Sequence, residues 1–98
     1  RSKELIVRGG MNIYPKEIED VLALMPEIAE SAVVGAPDKF MGERVKACIV
    51  LRPGQALEEE AVTRFCKERL ADYKVPRTIE FLPSLPRNST GKVLKRFL

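Results

Sequence analysis

Histidine is missing from all 98 residues, and that one absence removes whole classes of chemistry. Imidazole activation of a nucleophile, histidine general acid–base catalysis and most zinc sites need a residue the chain does not have. Cysteine is scarce too. Cys48 and Cys66 are the only two; they lie in apolar surroundings without metal-ligand spacing, and no residue is singled out as a metal ligand. Both read as small core hydrophobes of a protein in a reducing, cytoplasmic setting. No apolar run approaches the roughly 20 residues a membrane-spanning helix requires, so no membrane span is expected. Charge of one sign is nearly balanced: 17 Lys+Arg against 14 Asp+Glu give +3. That excess is too small to argue for a nucleic-acid partner. Internal repeats, low-complexity segments and linkers are also lacking.

What remains fits one soluble domain spanning residues 1–98, with 45% hydrophobic and 32% charged residues. The chain opens at Arg1-Ser2-Lys3 with neither methionine nor an apolar signal region, so it is expected to have been cut from something longer.

Leu5-Ile6-Val7 is a strand-forming run that ends at Gly9-Gly10, and Asn12-Ile13-Tyr14 can return beside it as a short hairpin. Paired glycines allow positive φ and serve a tight turn; they also let a ligand approach the backbone closely. Pro15 suits the first turn of a helix, and Glu17, Glu19 and Asp20 put negative charge near its positive end. Ile18, Val21, Leu22 and Met25 recur at helical spacing, and Pro26 ends the run. A buried strand over 28–34 is expected to pass into a turn at Gly35-Ala36-Pro37-Asp38, followed by an exposed loop, Lys39 to Glu43. Phe40 and Met41 in that loop can fold back on the core or offer a flat surface to a ring ligand.

A strand over 44–52 puts Val45, Ala47, Ile49 and Leu51 on one face. Cys48 and Val50 make the other face partly apolar, which predicts a central position. Pro53-Gly54 is a turn. Glu58-Glu59-Glu60 starts a second helix that buries Val62, Phe65, Cys66 and Leu70. Tyr73, Lys74 and Arg77 follow in a loop, either solvated or placed to stack on and pair with a phosphorylated nucleotide. Thr78 to Leu82 reads as a last strand. The fold class is α+β: a small mixed sheet with helices packed on one face, preceded by a short two-stranded hairpin and closed by a short terminal helix.

The stretch Pro86-Arg87-Asn88-Ser89-Thr90-Gly91-Lys92-Val93-Leu94-Lys95-Arg96 describes an exposed, adaptable loop with one long cation at its tip and a helix start after it. An ammonium with three donors can sit between two anionic oxygens. A nucleotide-binding P-loop is excluded, because Pro86 and Val93 stand where that motif needs glycine and Ser or Thr. On these residues alone, a solvated basic tail and an anion-binding lysine both stand.

Four pieces in order resemble one family. They are Arg1-Ser2-Lys3-Glu4-Leu5-Ile6 leading to Gly9-Gly10; Ile13-Tyr14-Pro15 before Glu17-Ile18-Glu19; Tyr73-Lys74-Val75-Pro76; and Pro86 to Arg96 with Gly91-Lys92. The chain resembles the C-terminal domain of the acyl- and aryl-CoA synthetase family of adenylate-forming enzymes, over essentially its whole length. That family also includes luciferase and peptide-synthetase adenylation domains, and these stay open as alternatives. So does a basic module, from a different class, that binds acidic protein or nucleic acid.

The resemblance implies a two-step ligase. A carboxylic acid attacks ATP to give an acyl-adenylate and pyrophosphate, and CoA then displaces AMP; Mg is bound through ATP and a large N-terminal domain of the same chain. It implies that Lys92 is the catalytic lysine of the first step, that Lys3 is the hinge, and that Gly9 and Gly10 line the thioesterification side in a second pose. Met41, Tyr73, Lys74 and Arg77 fall where relatives contact CoA. Two residues depart from the pattern: Val75 stands where some aryl-CoA ligases carry a cation, and Met41 where some carry an aromatic.

Overall fold

The computed structural model describes residues 4–98; Lys3, the hinge candidate, lies outside them. Five strands form one mixed sheet: β1 (Ile6–Arg8), β2 (Met11–Ile13), β3 (Ile28–Asp38), β4 (Gly42–Leu51) and β5 (Thr78–Phe81). Strand β4 is central, as its two apolar faces predict. On one edge it pairs antiparallel with β3 from Ile28↔Leu51 to Asp38↔Gly42. The other edge is shared: β1 bridges to it at Arg8↔Gly42, and β5 runs parallel to it from Lys46↔Thr78 to Ile49↔Phe81. The β1–β2 hairpin is therefore an extension of the sheet rather than a separate piece.

Helices α1 (Pro15–Leu22) and α2 (Glu59–Lys67) lie on one face. Pro15 occupies the first turn of α1, where a missing N–H costs nothing, and Ile18 and Leu22 at i, i+4 spacing are fully buried. In α2 the acidic Glu59 and Glu60 and the basic Arg64 and Lys67 oppose the helix dipole at its two ends, while Val62 and Cys66 are buried. These helical residues pack on Val33, Val45, Ala47 and Ile49. The opposite face of β4 carries Cys48 and Val50. Among the described residues no α-helix covers it; Leu82, Leu85, Val93 and Leu98 of the C-terminal segment do. The tail with Lys92 is thus part of the core wall.

Both cysteines are free and buried. Burial pushes the Cys66 thiol up to about 11 and raises Cys48 as well, which keeps them unreactive.

Two expectations are corrected. The turn expected at residues 35–38 is strand: β3 runs on to Asp38, with Pro37 opposite Glu43. Strand β3 is at the edge of the sheet, where proline's missing N–H breaks no ladder bond. Gly35 serves close packing rather than a turn: a Cβ there would sit 2.6 Å from Glu43 Oε2 and push that carboxylate aside. That Glu43 side chain accepts the Val7 N–H at 2.8 Å and joins β1 to the sheet.

The second correction concerns the C-terminus. The terminal helix does not start directly after Lys92: Val93 bridges back to Arg87 and the Leu94 N–H donates to the Pro86 carbonyl at 2.8 Å. The short terminal helix begins after this bridge and is a single 3-10 turn, Lys95–Phe97.

Candidate functional site

The Lys92 loop is a small hairpin. Asn88 donates its N–H to the Lys92 carbonyl at 3.0 Å, and Gly91, at φ +89°, donates to the Asn88 carbonyl at 3.0 Å. The Asn88 side-chain oxygen accepts from Thr90 N (3.0 Å), Thr90 Oγ1 (2.8 Å) and Lys92 N (2.9 Å). The loop is exposed as the sequence predicts, but it is internally bonded rather than adaptable. Arg87 fixes its base: Nη1 donates to the Gly91 carbonyl at 2.7 Å and Nη2 pairs with Glu30 on β3. Lys92 itself is exposed. Among the described residues no carboxylate lies within 4 Å of its ammonium, and no side-chain hydrogen bond uses it.

Lys95, three residues on, looks similar in sequence and behaves in the opposite way. Its ammonium donates to Glu4 (2.7 Å), Glu19 (2.8 Å) and the Val33 carbonyl (3.1 Å). Burial pulls its pKa down, but the hydrogen bonds and charges of Glu19 and Glu4 outweigh this, and the net direction is up. Lys95 is a structural anchor; Lys92 is exposed and unpaired among the described residues.

Gly9 and Gly10 form the β1–β2 turn at φ +57° and +83°, a pair of values that closes a two-residue hairpin with the right twist. Their positions are not equivalent. Gly9 donates its N–H to the Met41 carbonyl at 2.7 Å, and a Cβ on it would lie 2.4 Å from Met41 Cε. A Cβ on Gly10 would meet nothing within 4 Å. Met41 is in turn held by Asp38, whose carboxylate accepts the Met41 N–H at 2.9 Å and the Phe40 N–H at 3.3 Å. The Met41 backbone bond, with help from Phe40, Arg8 and Arg44 and against desolvation, keeps the Asp38 pKa low. Phe40 does not fold back; it is 87% exposed.

The remaining candidates lie along the same edge of β4. Arg77 donates its N–H to the Val45 carbonyl at 2.9 Å, four residues beyond Met41, or about 13 Å along the strand. Met41 is therefore brought against Gly9, and Tyr73, Lys74 and Arg77 form a second group. Within that group Lys74 pairs with Glu17 at 2.8 Å, its pKa raised first by that hydrogen bond, and Arg77 reaches Asp72 at 3.4 Å. Tyr73 is half-buried against the main core.

Two ends of the β3–β4 ladder thus carry two different surfaces. Glu30, which anchors the Lys92 loop, and Asp38, which anchors Met41 and Gly9, are eight residues apart on β3, or about 26 Å. One small ligand cannot touch both at once. The parts that sequence reading missed are Asn88, Arg87, Glu30 and Lys95. For Asn88 a signal existed, since asparagine two residues before a polar residue in a glycine-closed turn favours a side-chain-to-backbone bond. For the Arg87–Glu30 and Lys95 pairs none did, because their partners are 57 to 91 residues away.

Comparison with known proteins agrees with this architecture. A 3-[(3aS,4S,7aS)-7a-methyl-1,5-dioxo-octahydro-1H-inden-4-yl]propanoyl:CoA ligase of Rhodococcus jostii (strain RHA1) is 52% identical over 98 residues, covering 100% of this chain and 19% of that protein. ATP-bound MatB from Rhodopseudomonas palustris has a TM-score of 0.94 at 41% identity, covering 99% of this chain and 19% of its own. The o-succinylbenzoate CoA synthetase MenE of Bacillus subtilis, in complex with the acyl-adenylate intermediate OSB-AMP, has a TM-score of 0.88 at 44% identity, covering 95% and 19%. The chain spans about a fifth of the length of the curated relatives it matches. The family model described as the AMP-binding enzyme C-terminal domain matches residues 17–92, and the chain belongs to that family.

Proposed function

We propose that residues 1–98 act as the mobile C-terminal domain of an ATP-dependent acyl-CoA synthetase, working over a larger N-terminal domain of the same protein. In the first half-reaction a carboxylate oxygen attacks the α-phosphorus of ATP and pyrophosphate leaves. In the second, the thiol of CoA loses its proton and attacks the acyl carbon, and AMP leaves. Lys92 serves the first step, since its ammonium can spread over the carboxylate and phosphate oxygens where negative charge gathers. Gly9 and Gly10 serve the second, as bare backbone beside the pantetheine arm, with Met41, Tyr73, Lys74 and Arg77 toward the nucleotide end of CoA.

The observation that carries the reading is the exposed Lys92 ammonium, unpaired among the described residues, on a preformed loop in a chain of this family. The two surfaces are anchored at Glu30 and Asp38, about 26 Å apart along β3, which supports two poses, with Lys3 as the hinge. Magnesium is expected to be carried by the ATP phosphates and the larger domain, as the family resemblance implies. The two buried free thiols fit a reducing, cytoplasmic location. The isolated segment is expected not to catalyse the overall reaction.

The test is Lys92→Ala in the full-length parent protein. Acid-dependent exchange of pyrophosphate into ATP should fall about 10²- to 10³-fold, as loss of one preorganised donor does elsewhere. Conversion of supplied acyl-adenylate and CoA to thioester should persist. Exchange at the parent rate would reject the role of Lys92.

A further inference from the structure

We infer that Asn88 is the positioning residue for Lys92, acting through its side-chain oxygen. The inference rests on the reading of Lys92 as the adenylation cation and adds what sets that cation's reach. Both sides of the Lys92 peptide are held by Asn88: the N–H donates to Oδ1 at 2.9 Å, and the carbonyl accepts from the Asn88 N–H at 3.0 Å. The same Oδ1 takes the Thr90 N–H and hydroxyl, at 3.0 and 2.8 Å, so one atom gathers the three donors that define the tip. Among the described residues the amide nitrogen of Asn88 has no partner, so the oxygen is what this site uses.

Burial does not explain the arrangement, because residues 87–92 are all exposed. In such a place water can replace a lost hydrogen bond, so little folding stability depends on Oδ1. Geometry depends on it more. Arg87 fixes only the base of the loop, through Gly91 and Glu30. Without Oδ1, Thr90 and Lys92 lose their acceptor inside the turn, and the Lys92 Cα, tied only by its carbonyl to the Asn88 N–H, can shift relative to β3. A misplacement of about 1 Å can cost about 10²-fold in a reaction that depends on positioning. Asn88 touches no reacting atom, so its effect passes through Lys92.

The experiment compares Asn88→Leu, which keeps the size and removes the oxygen, with Asn88→Asp, which keeps the oxygen, and with Lys92→Ala, all in the full-length parent. Pyrophosphate exchange, thioester formation from supplied acyl-adenylate, and melting temperature are measured for each. Asn88→Leu should lower kcat for exchange by about tenfold, with KM for acid and ATP, the second half-reaction and the melting temperature little changed. Asn88→Asp should recover most of the loss. If Asn88→Leu exchanges at the parent rate while Lys92→Ala does not, the inference is wrong and the role of Lys92 stands. If Lys92→Ala also has no effect, the reading beneath it fails. Equal loss in both half-reactions with a lower melting temperature would make Asn88 merely structural. Failure of Asn88→Asp to recover would remove the oxygen from the account.

Discussion

The Lys92 loop and the Gly9-Gly10 turn are both short, exposed and dependent on glycine at positive φ, yet they are held by opposite means. The first is fixed by polar bonds: three donors on Asn88 Oδ1, Arg87 between Gly91 and Glu30, and Lys95 beneath it between Glu4 and Glu19. The second is fixed mainly by backbone shape and packing: both glycines are at positive φ, the Gly9 N–H donates to the Met41 carbonyl, and the end of the Met41 side chain fills the space a Cβ on Gly9 would take, so it would have to swing aside. A loop that presents a charge gains from a polar frame, which leaves the cation exposed while holding its backbone. A turn that offers bare backbone gains from close packing. Changes of charge should therefore disturb one end of the molecule and changes of volume the other.

The largest effect on this contrast is expected from Gly9→Val. A β-branched residue at φ +57° is strained by roughly 1–2 kcal/mol or more, and its Cβ also displaces Met41. In the full-length parent, thioester formation from supplied acyl-adenylate should fall by up to about 10²-fold, with pyrophosphate exchange near normal. Met41→Ala added to Gly9→Val should return part of the lost stability, because Met41 Cε is the nearest obstacle. Loss confined to the adenylation step would reverse the assignment of the two ends.

An intermediate effect is expected from Lys95→Met, which leaves two carboxylates and a carbonyl facing a methyl group. The loss of charge-assisted hydrogen bonds should cost about 2 kcal/mol at pH 7. The pH dependence has a definite sign. The folded pKa of Lys95 lies above the ordinary 10.5, so its contribution is complete below that value and disappears as pH rises through the folded pKa. The gap between parent and Lys95→Met in urea midpoint should be constant from pH 7 to 9 and close in more alkaline solution. A gap that stays open there would show that Lys95 works by packing its stem.

How much of this was legible follows from the range of the forces involved. The alternation of Val45, Ala47 and Ile49 against Cys48 and Val50 marked β4 as central, and Pro15 with Ile18 and Leu22 marked α1, because those signals lie within a few residues of one another. Pro37 misled, since proline ends a strand only where its N–H would have been used, and edge position is a property of the whole sheet. Local chemistry put Lys92 at a loop tip, but it could not show that Lys95 is occupied. Glu4, 91 residues away from Lys95, and Glu19, 76 away, decide which lysine is occupied. The terminal helix was expected to start directly after Lys92 for a related reason: the bridge from Val93 to Arg87 that delays it closes a turn whose key acceptor is a side chain.

The smallest structural effect, and the one that separates fold from function most cleanly, is expected from Gly10→Asn. Asparagine enters the left-handed region more readily than other side chains, and a Cβ at Gly10 meets nothing within 4 Å. Stability should therefore fall by less than about 1 kcal/mol, in contrast to Gly9→Val a single residue away. If Gly10 faces only water in every pose, thioester formation should be equally indifferent. If the turn lies along the pantetheine arm, the new carboxamide occupies space that the fold leaves open and the ligand needs. The second half-reaction should then fall, with KM for CoA rising, while the urea midpoint hardly moves. A Gly10→Asn protein that is both stable and fully active with CoA would leave Gly9 needed only for packing on Met41, and would move the CoA-facing surface away from this turn.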